Sequence, residues 1–322
     1  MVAGAATDHD SLAVMSPGAT VLEPVILSAS RATDIPSFYA DWFMNRLRAG
    51  SFTWVNPFRP SQVVQVLSRR VRAIVFWSKH PERLLPHLDE LDERGLHFYI
   101  HYTLNDYESE GLEPHLPPLA ERKELFFRLA DRLGPDRVIW RMDPLVRTDR
   151  LDVSRLLDKA EPLMAQLVGH TRKLVFSFVD IDGYSAVQRH LARSGQHARE
   201  FTRAEMLEFA RGLADLNRRY GMELATCAEP VDLSTFGMDH NRCVDGELLA
   251  RLWPQDEDLM AYLAHPRAQK DRGQRPACGC VASKDIGRYQ TCPHLCAYCY
   301  ANHSPGAVQR HAAAHRPDGE RI

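Results

Sequence analysis

Beyond about residue 23, short apolar runs that end in small or polar residues alternate with longer stretches whose apolar positions recur every three to four residues. The first run, Val25-Ile26-Leu27-Ser28-Ala29-Ser30, predicts a buried strand leading into a polar loop with Arg31, Asp34 and Pro36. A helix is expected from Ser37, as N-cap, to Arg48, with Phe38, Trp42, Phe43 and Leu47 on one face and Gly50 as its stop. The alternation then repeats. Strands are predicted over 52–55, 73–77, 96–103, 137–141, 174–179 and 223–226, and helices over 82–93, 119–133, 153–168 (with Pro162 inside) and 203–220. Repeated β-then-α units imply parallel strands joined by right-handed crossovers. So many of them predict an α/β fold, a parallel (β/α) barrel or partial TIM-like barrel, rather than two separate domains. Residues 1–22, small and polar without a sustained period, read as a flexible tail. Residues 23–304 read as the barrel domain and 305–322 as a closing helix or tail.

In parallel α/β folds the reactive groups gather outside the carboxyl ends of the strands. The candidates are then Ser30, Arg31 and Asp34; Trp77, Ser78 and Lys79; Tyr102 and Thr103; Arg141 and Asp143; Ser177 and Asp180; and Cys227 and Glu229. Most residues in such positions serve as N-caps, turn formers or partners in ion pairs. As a set these do more, because Arg141 follows Trp140 and Lys79 lies two residues after Trp77, which puts cations beside aromatic faces. Lys79, Arg141, Asp143 and Glu229 are the expected catalytic groups. Ser30 and Arg31, with Tyr298, are the expected cofactor contacts.

Composition changes this picture little and the cysteines change it most. Hydrophobic residues at 44% and charged residues at 25% are ordinary globular values, and a formal net charge of −2 disfavours sequence-independent binding to nucleic acid. Residues 1–22 show no export signal, and no apolar run is long enough for a bilayer, so a cytoplasmic protein without a membrane anchor is expected. Seven cysteines, an odd number crowded toward the end of the chain, suit metal ligation in a reducing compartment better than a disulfide framework. Three of them, in Cys292-Pro293-His294-Leu295-Cys296-Ala297-Tyr298-Cys299, have the spacing C-x₃-C-x₂-C. Three thiolates on one loop can hold three irons of a [4Fe–4S] cube and leave the fourth open. A zinc site with His294 or His303 as a nitrogen ligand is the alternative. The other four, Cys227, Cys243, Cys278 and Cys280, are the number a fully ligated second cluster needs; their alternative is a close pair, Cys278 and Cys280, and two buried small hydrophobes.

The spacing, with an aromatic residue before the third cysteine, resembles the signature of the radical S-adenosylmethionine (AdoMet) enzymes. The run 296–300 is similar to the spore photoproduct lyase branch. The resemblance implies that AdoMet chelates the open iron and is split reductively to a 5′-deoxyadenosyl radical. Ser28-Ala29-Ser30-Arg31, Asn56-Pro57-Phe58, Ile74-Val75-Phe76-Trp77-Ser78-Lys79, Trp140-Arg141, Thr226-Cys227-Ala228-Glu229 and the stretch 278–302 together resemble a bacterial family of unknown function, numbered 1848. One departure from the wider superfamily is that the cysteine loop comes after most of the barrel. A circular permutation would restore its place, with 280–284 as the strand before the loop and 305–315 as the helix after it. No Gly-Gly-Glu type segment follows Ser30 to hold the methionine amine.

The expected function is therefore an iron–sulfur enzyme with one or two [4Fe–4S] clusters and AdoMet as cofactors, abstracting hydrogen from a small-molecule or unknown substrate and drawing electrons from a donor such as a ferredoxin or flavodoxin. A zinc- or cluster-stabilised structural or electron-transfer module is the competing reading. Nucleic-acid repair or modification is suggested by the lyase likeness and opposed by the charge.

Overall fold

The computed structural model describes residues 20–275 and 277–322. Eight strands form one sheet, numbered here along the chain: β1 Ile26–Ala29, β2 Ala73–Ser78, β3 His97–Thr103, β4 Val138–Leu145, β5 Lys173–Phe178, β6 Glu223–Thr226, β7 Met238–His240 and β8 Lys284–Asp285. Their spatial order is β7-β6-β5-β4-β3-β2-β1-β8, and every pairing is parallel. Strands buried on both faces need continuous apolar runs, and β1, β2 and β5 have them. The sheet's two edges are β7 and β8, and no hydrogen-bonded pair joins them among the described residues.

Alternate residues of each strand feed two different cores. On one face Phe76, Ile100, Trp140 and Phe176 pack with Phe43 and Phe126 and with helices Ala40–Arg48, Leu119–Leu133, Val153–Leu167 and Arg203–Asn217. On the other Val75, Tyr99, Ile139 and Val175 pack with Leu248, Leu249 and Leu259 from helices Gly246–Leu252 and Glu257–Ala264. The sheet is thus the middle of three layers. No helix among the described residues is long and apolar enough to cross a membrane.

Several local expectations are corrected. The N-cap of the first helix is Asp34, whose carboxylate accepts from Ser37 N, and helix Ile35–Phe38 is separated from Ala40–Arg48 by Tyr39. The segment 82–93 is a 3₁₀ turn, Glu82–His87, followed by helix Leu88–Glu93; Pro86 lacks the N–H that an unbroken α-helix would use. Strand Ser51–Asn56 is not part of the large sheet. It pairs with Arg59–Leu67, which also takes up Thr20–Leu22, so residues 20–22 are strand rather than tail; residues 1–19 lie outside the described residues. The strand expected over 280–284 consists of Lys284 and Asp285 alone and pairs in parallel with β1. The helix after the loop is Pro305–Ala314. The residues beyond it dock on the fold, where Trp42 donates to the Gly319 carbonyl at 3.0 Å and Thr53 N to the Glu320 carbonyl at 3.3 Å.

Candidate functional site

The loop 292–299 is held at three points beside the carboxyl ends of β1 and β2. Leu295 has φ 51°, a left-handed conformation that curls the chain between the first two cysteines. His294 Nε2 meets Asp34 Oδ2 at 3.0 Å, and the same carboxylate caps Ser37 N at 3.0 Å and accepts Lys79 N at 2.8 Å. Asp34 thereby ties the loop, the first helix and the end of β2 together; despite its burial, His294 keeps it below the usual carboxylate range. Ala297 N donates to Leu112 O at 2.8 Å, and Asn302 Nδ2 to Cys292 O at 2.8 Å.

Cys296 and Cys299 disfavour the ionisation of Cys292, and Cys299 disfavours that of Cys296. Burial pushes all three up, Cys296 to about 12. Opposing this, the backbone amides near Ala301 and Asn302 and the charge of Lys79 favour the Cys299 thiolate, and Lys79 favours that of Cys296 as well. Amide donors and a nearby cation are what a thiolate-bound cluster needs to offset its charge. Among the described residues no three Cys, His, Asp or Glu side chains are arranged to grip one metal ion. A cubane asks for less convergence, since each thiolate binds a different iron. The donor set and its surroundings therefore fit a three-thiolate cluster. His294 offers a zinc ion only Nδ1, which is buried and unpartnered, because Nε2 is taken by Asp34.

A continuous polar network starts at this loop. Tyr298 donates to Glu113 Oε1, which also accepts Lys79 Nζ at 2.8 Å and Asn105 Nδ2 at 3.1 Å, while Arg122 Nη1 stands 3.5 Å from Oε2. Burial opposes both charges of the Lys79–Glu113 pair, yet each partner holds the other ionised: Lys79 is raised and Glu113 lowered. Asn105, fully buried, carries the network onward, since its Oδ1 accepts Asp143 N at 3.0 Å. Asp143 in turn accepts from Ser177 Oγ and from Arg141 Nε at 3.0 Å, and Arg141 Nη1 reaches Cys243 Sγ at 3.1 Å. The chain of contacts runs round the ends of β3 and β4 from one face of the sheet to the other.

The family model described as a domain of unknown function, DUF1848, matches residues 26–301. The chain belongs to this family. No curated protein and no solved structure matches it. The DUF1848 match takes in the whole sheet, the loop 292–299 and every residue of the network, while strand Thr20–Leu22 and helix Pro305–Ala314 lie outside it.

Within the DUF1848 span, the expected residues divide between the two sheet faces. Lys79 and Tyr298 meet at the cysteine loop, and Arg141 and Asp143 lie along the network. Trp77 is on the other side, stacked on His101 with ring centroids 5.2 Å apart and covered by Arg31 at 4.8 Å. Ser30 and Arg31 surround Asp285, which accepts Ser28 Oγ at 2.7 Å, Ser30 Oγ at 2.9 Å, Arg31 N at 2.9 Å and Gly287 N at 2.8 Å. Ser30 and Tyr298 thus already spend their hydroxyls on the protein. Glu229 accepts Phe178 N at 2.9 Å, and burial pushes its carboxyl up to about 7. Tyr102 is core, donating to the Arg122 carbonyl at 2.8 Å. Sequence reasoning missed Glu113, Asn105 and Arg122. The first two sit in the aperiodic segment after β3, and Arg122 reads as the polar face of a helix although it is 1% exposed. Cys227, Cys243, Cys278 and Cys280 come together, with Cys227 Sγ 3.4 Å from Cys243 Sγ and Cys280 adjacent to both Cys243 and Cys278.

Proposed function

We propose that this chain is a radical AdoMet-type iron–sulfur enzyme whose cluster is held by Cys292, Cys296 and Cys299. The observation that carries the reading is one tethered loop that brings Cys296, buried, and Cys292 and Cys299, half-buried, together, with Lys79 beside them through its 2.9 Å bond to Tyr298 Oη. Cys292, Cys296 and Cys299 would hold such a cluster, which would supply the one-electron reduction that cleaves AdoMet into methionine and a radical able to take hydrogen from substrate. The chain's own residues do the positioning. Asp34 fixes the loop through His294, and Lys79, kept charged by Glu113, offsets the negative charge that thiolates bring. Arg141 and Asp143 lie within β4, at and just beyond the point where its pairing with β3 ends, and would meet an anionic or hydrogen-bonding substrate there. In this reading the eight-stranded sheet is a partial barrel, permuted so that its last strand lies beside its first. The electron donor is a ferredoxin or flavodoxin in the cytoplasm.

The test is anaerobic reconstitution with ferrous iron and sulfide, followed by dithionite and AdoMet. Formation of 5′-deoxyadenosine by the wild type, and its loss in the variant C292A/C296A/C299A, is the expected result. A colourless protein that retains zinc would favour a metal-stabilised module instead. Iron and sulfide bound without any deoxyadenosine would remove the enzymatic reading.

A further inference from the structure

We propose that Cys227, Cys243, Cys278 and Cys280 bind a second, fully ligated iron–sulfur cluster on the opposite face of the sheet, independent of the loop 292–299. The four thiols arrive from three separate parts of the chain. Cys227 follows β6, Cys243 precedes helix Gly246–Leu252, and Cys278 and Cys280 precede β8. Gly279 between the last two lets the backbone pass Arg242, for a Cβ there would stand 2.9 Å from Arg242 Cγ. Cys243, Cys278 and Cys280 are buried among Val75, Tyr99, Ile139 and Val244, in the core that does not contain Cys296. Two cores on two sheet faces mean two sites rather than one pool of ligands.

Packing alone does not account for what surrounds these sulfurs. Cysteines that merely fill a core behave as small hydrophobes and attract no charges. Here Arg141 Nη1 donates to Cys243 Sγ at 3.1 Å, Asn241 Nδ2 to the same sulfur at 3.3 Å, and Val244 N to Cys280 Sγ at 3.3 Å. The guanidinium of Arg31 lies beside Cys280, and its Nη2 is buried with no hydrogen-bond partner. His101 Nδ1, one residue layer away on β3, is likewise buried and unpartnered, while its Nε2 reaches the Cys243 carbonyl at 2.7 Å. Two arginines, an amide side chain and a backbone N–H directed at Cys243 and Cys280 are the donors that a cluster's sulfurs accept from and that tune it. The sulfur pair Cys227–Cys243, at 3.4 Å, stands well beyond the 2.03–2.05 Å of a disulfide. A disulfide there would also leave Cys278, Cys280 and Arg31 unexplained. Four cysteines close a cubane, so this site has no open iron, in contrast to the three-cysteine loop.

Anaerobic reconstitution with ferrous iron and sulfide decides the matter by counting iron in three proteins. The wild type is expected to hold about eight irons and C292A/C296A/C299A about four. The variant C243A/C280A is also expected to hold about four. The loop variant leaves all four cysteines intact, so it decides the case even where C243A/C280A does not fold. Its residual iron should give the Mössbauer signature of a closed cubane, and an R31Q change added to it should shift the reduction potential of that iron. A loop variant without iron, or one that takes a single zinc instead, overturns the second cluster. If the wild type and the loop variant both hold four irons, the second cluster stands and the first falls.

Discussion

Glu113 joins the cysteine loop to the strand ends, and its removal tests whether the network is as tightly coupled as its geometry implies. The side chain is 3% exposed, as is expected of a carboxylate that exists only because its partners compensate for lost water. Glu113→Ala removes the acceptor for Lys79 Nζ, Asn105 Nδ2 and Tyr298 Oη together and leaves Lys79, 15% exposed, and Arg122, 1% exposed, without their carboxylate. Breaking one side of a buried pair costs about 3–5 kcal/mol, and Arg122 retains the Asn105 and Pro117 carbonyls, so the loss should be about 4 kcal/mol. Glu113→Gln keeps the shape and part of the hydrogen bonding and should cost about 2 kcal/mol. The double change Lys79→Met with Glu113→Leu replaces the pair by apolar bulk and should recover at least half of the alanine variant's loss. Urea unfolding, followed by tryptophan fluorescence and far-ultraviolet circular dichroism with unchanged slopes, measures all three. Because the pair is buried, about 0.5 M NaCl should leave the differences intact. A loss below about 1 kcal/mol for Glu113→Ala, or one abolished by salt, would show that the network is solvated and that the reasoning fails.

Other outcomes follow from single contacts. Asp34→Ala frees His294 Nε2, Lys79 N and Ser37 N at once and should cost about 3 kcal/mol in urea while lowering iron retention at the loop 292–299; a variant with full stability and iron content would separate Asp34 from the loop. Asp256 caps Leu259 N and accepts Arg72 Nε at 2.9 Å and His97 Nε2 at 2.7 Å; against the cost of burial, these partners hold it below its ordinary 3.8. A lowered carboxylate contributes stability above its unfolded value and loses it as pH falls, so the stability difference between wild type and Asp256→Asn should shrink from about pH 5 down to pH 3, and a constant difference would contradict the linkage. Gly287→Ala would put Cβ 1.8 Å from Ser30 Oγ and displace that hydroxyl from Asp285, costing about 1–3 kcal/mol. Thermal melts of Gly287→Ala, Ser30→Ala and the pair should show a combined loss smaller than the sum, and simple additivity would place the two residues out of contact.

The sequence by itself determined the order of the elements and the residues at their ends. Apolar runs such as Ile74-Val75-Phe76 and capped helices such as 119–133 are local facts, set by periodicity and by Gly134 at the helix stop, so they were legible without a fold. A polar group at a strand end was also legible in Lys79, which follows β2, whereas Arg141 and Asp143, expected after a strand ending at 141, lie within β4, which runs on to Leu145. What only the tertiary structure decided is which of these groups meet. Strands buried on both faces are apolar at every position, so their alternation is invisible in sequence, and nothing local revealed that Cys243 and Cys280 face one core while Cys296 faces the other. Glu113 and Asn105 sit in a segment without period, and their partners Lys79 and Tyr298 are 34 and 193 residues away respectively. Asp285 reaches Ser28 across 257 residues of chain, a contact made only because β8 lies beside β1. The cysteine spacing singled out the loop 292–299, but its tethers to Asp34 and Leu112 and its neighbour Lys79 come from residues that the fold alone brings to it.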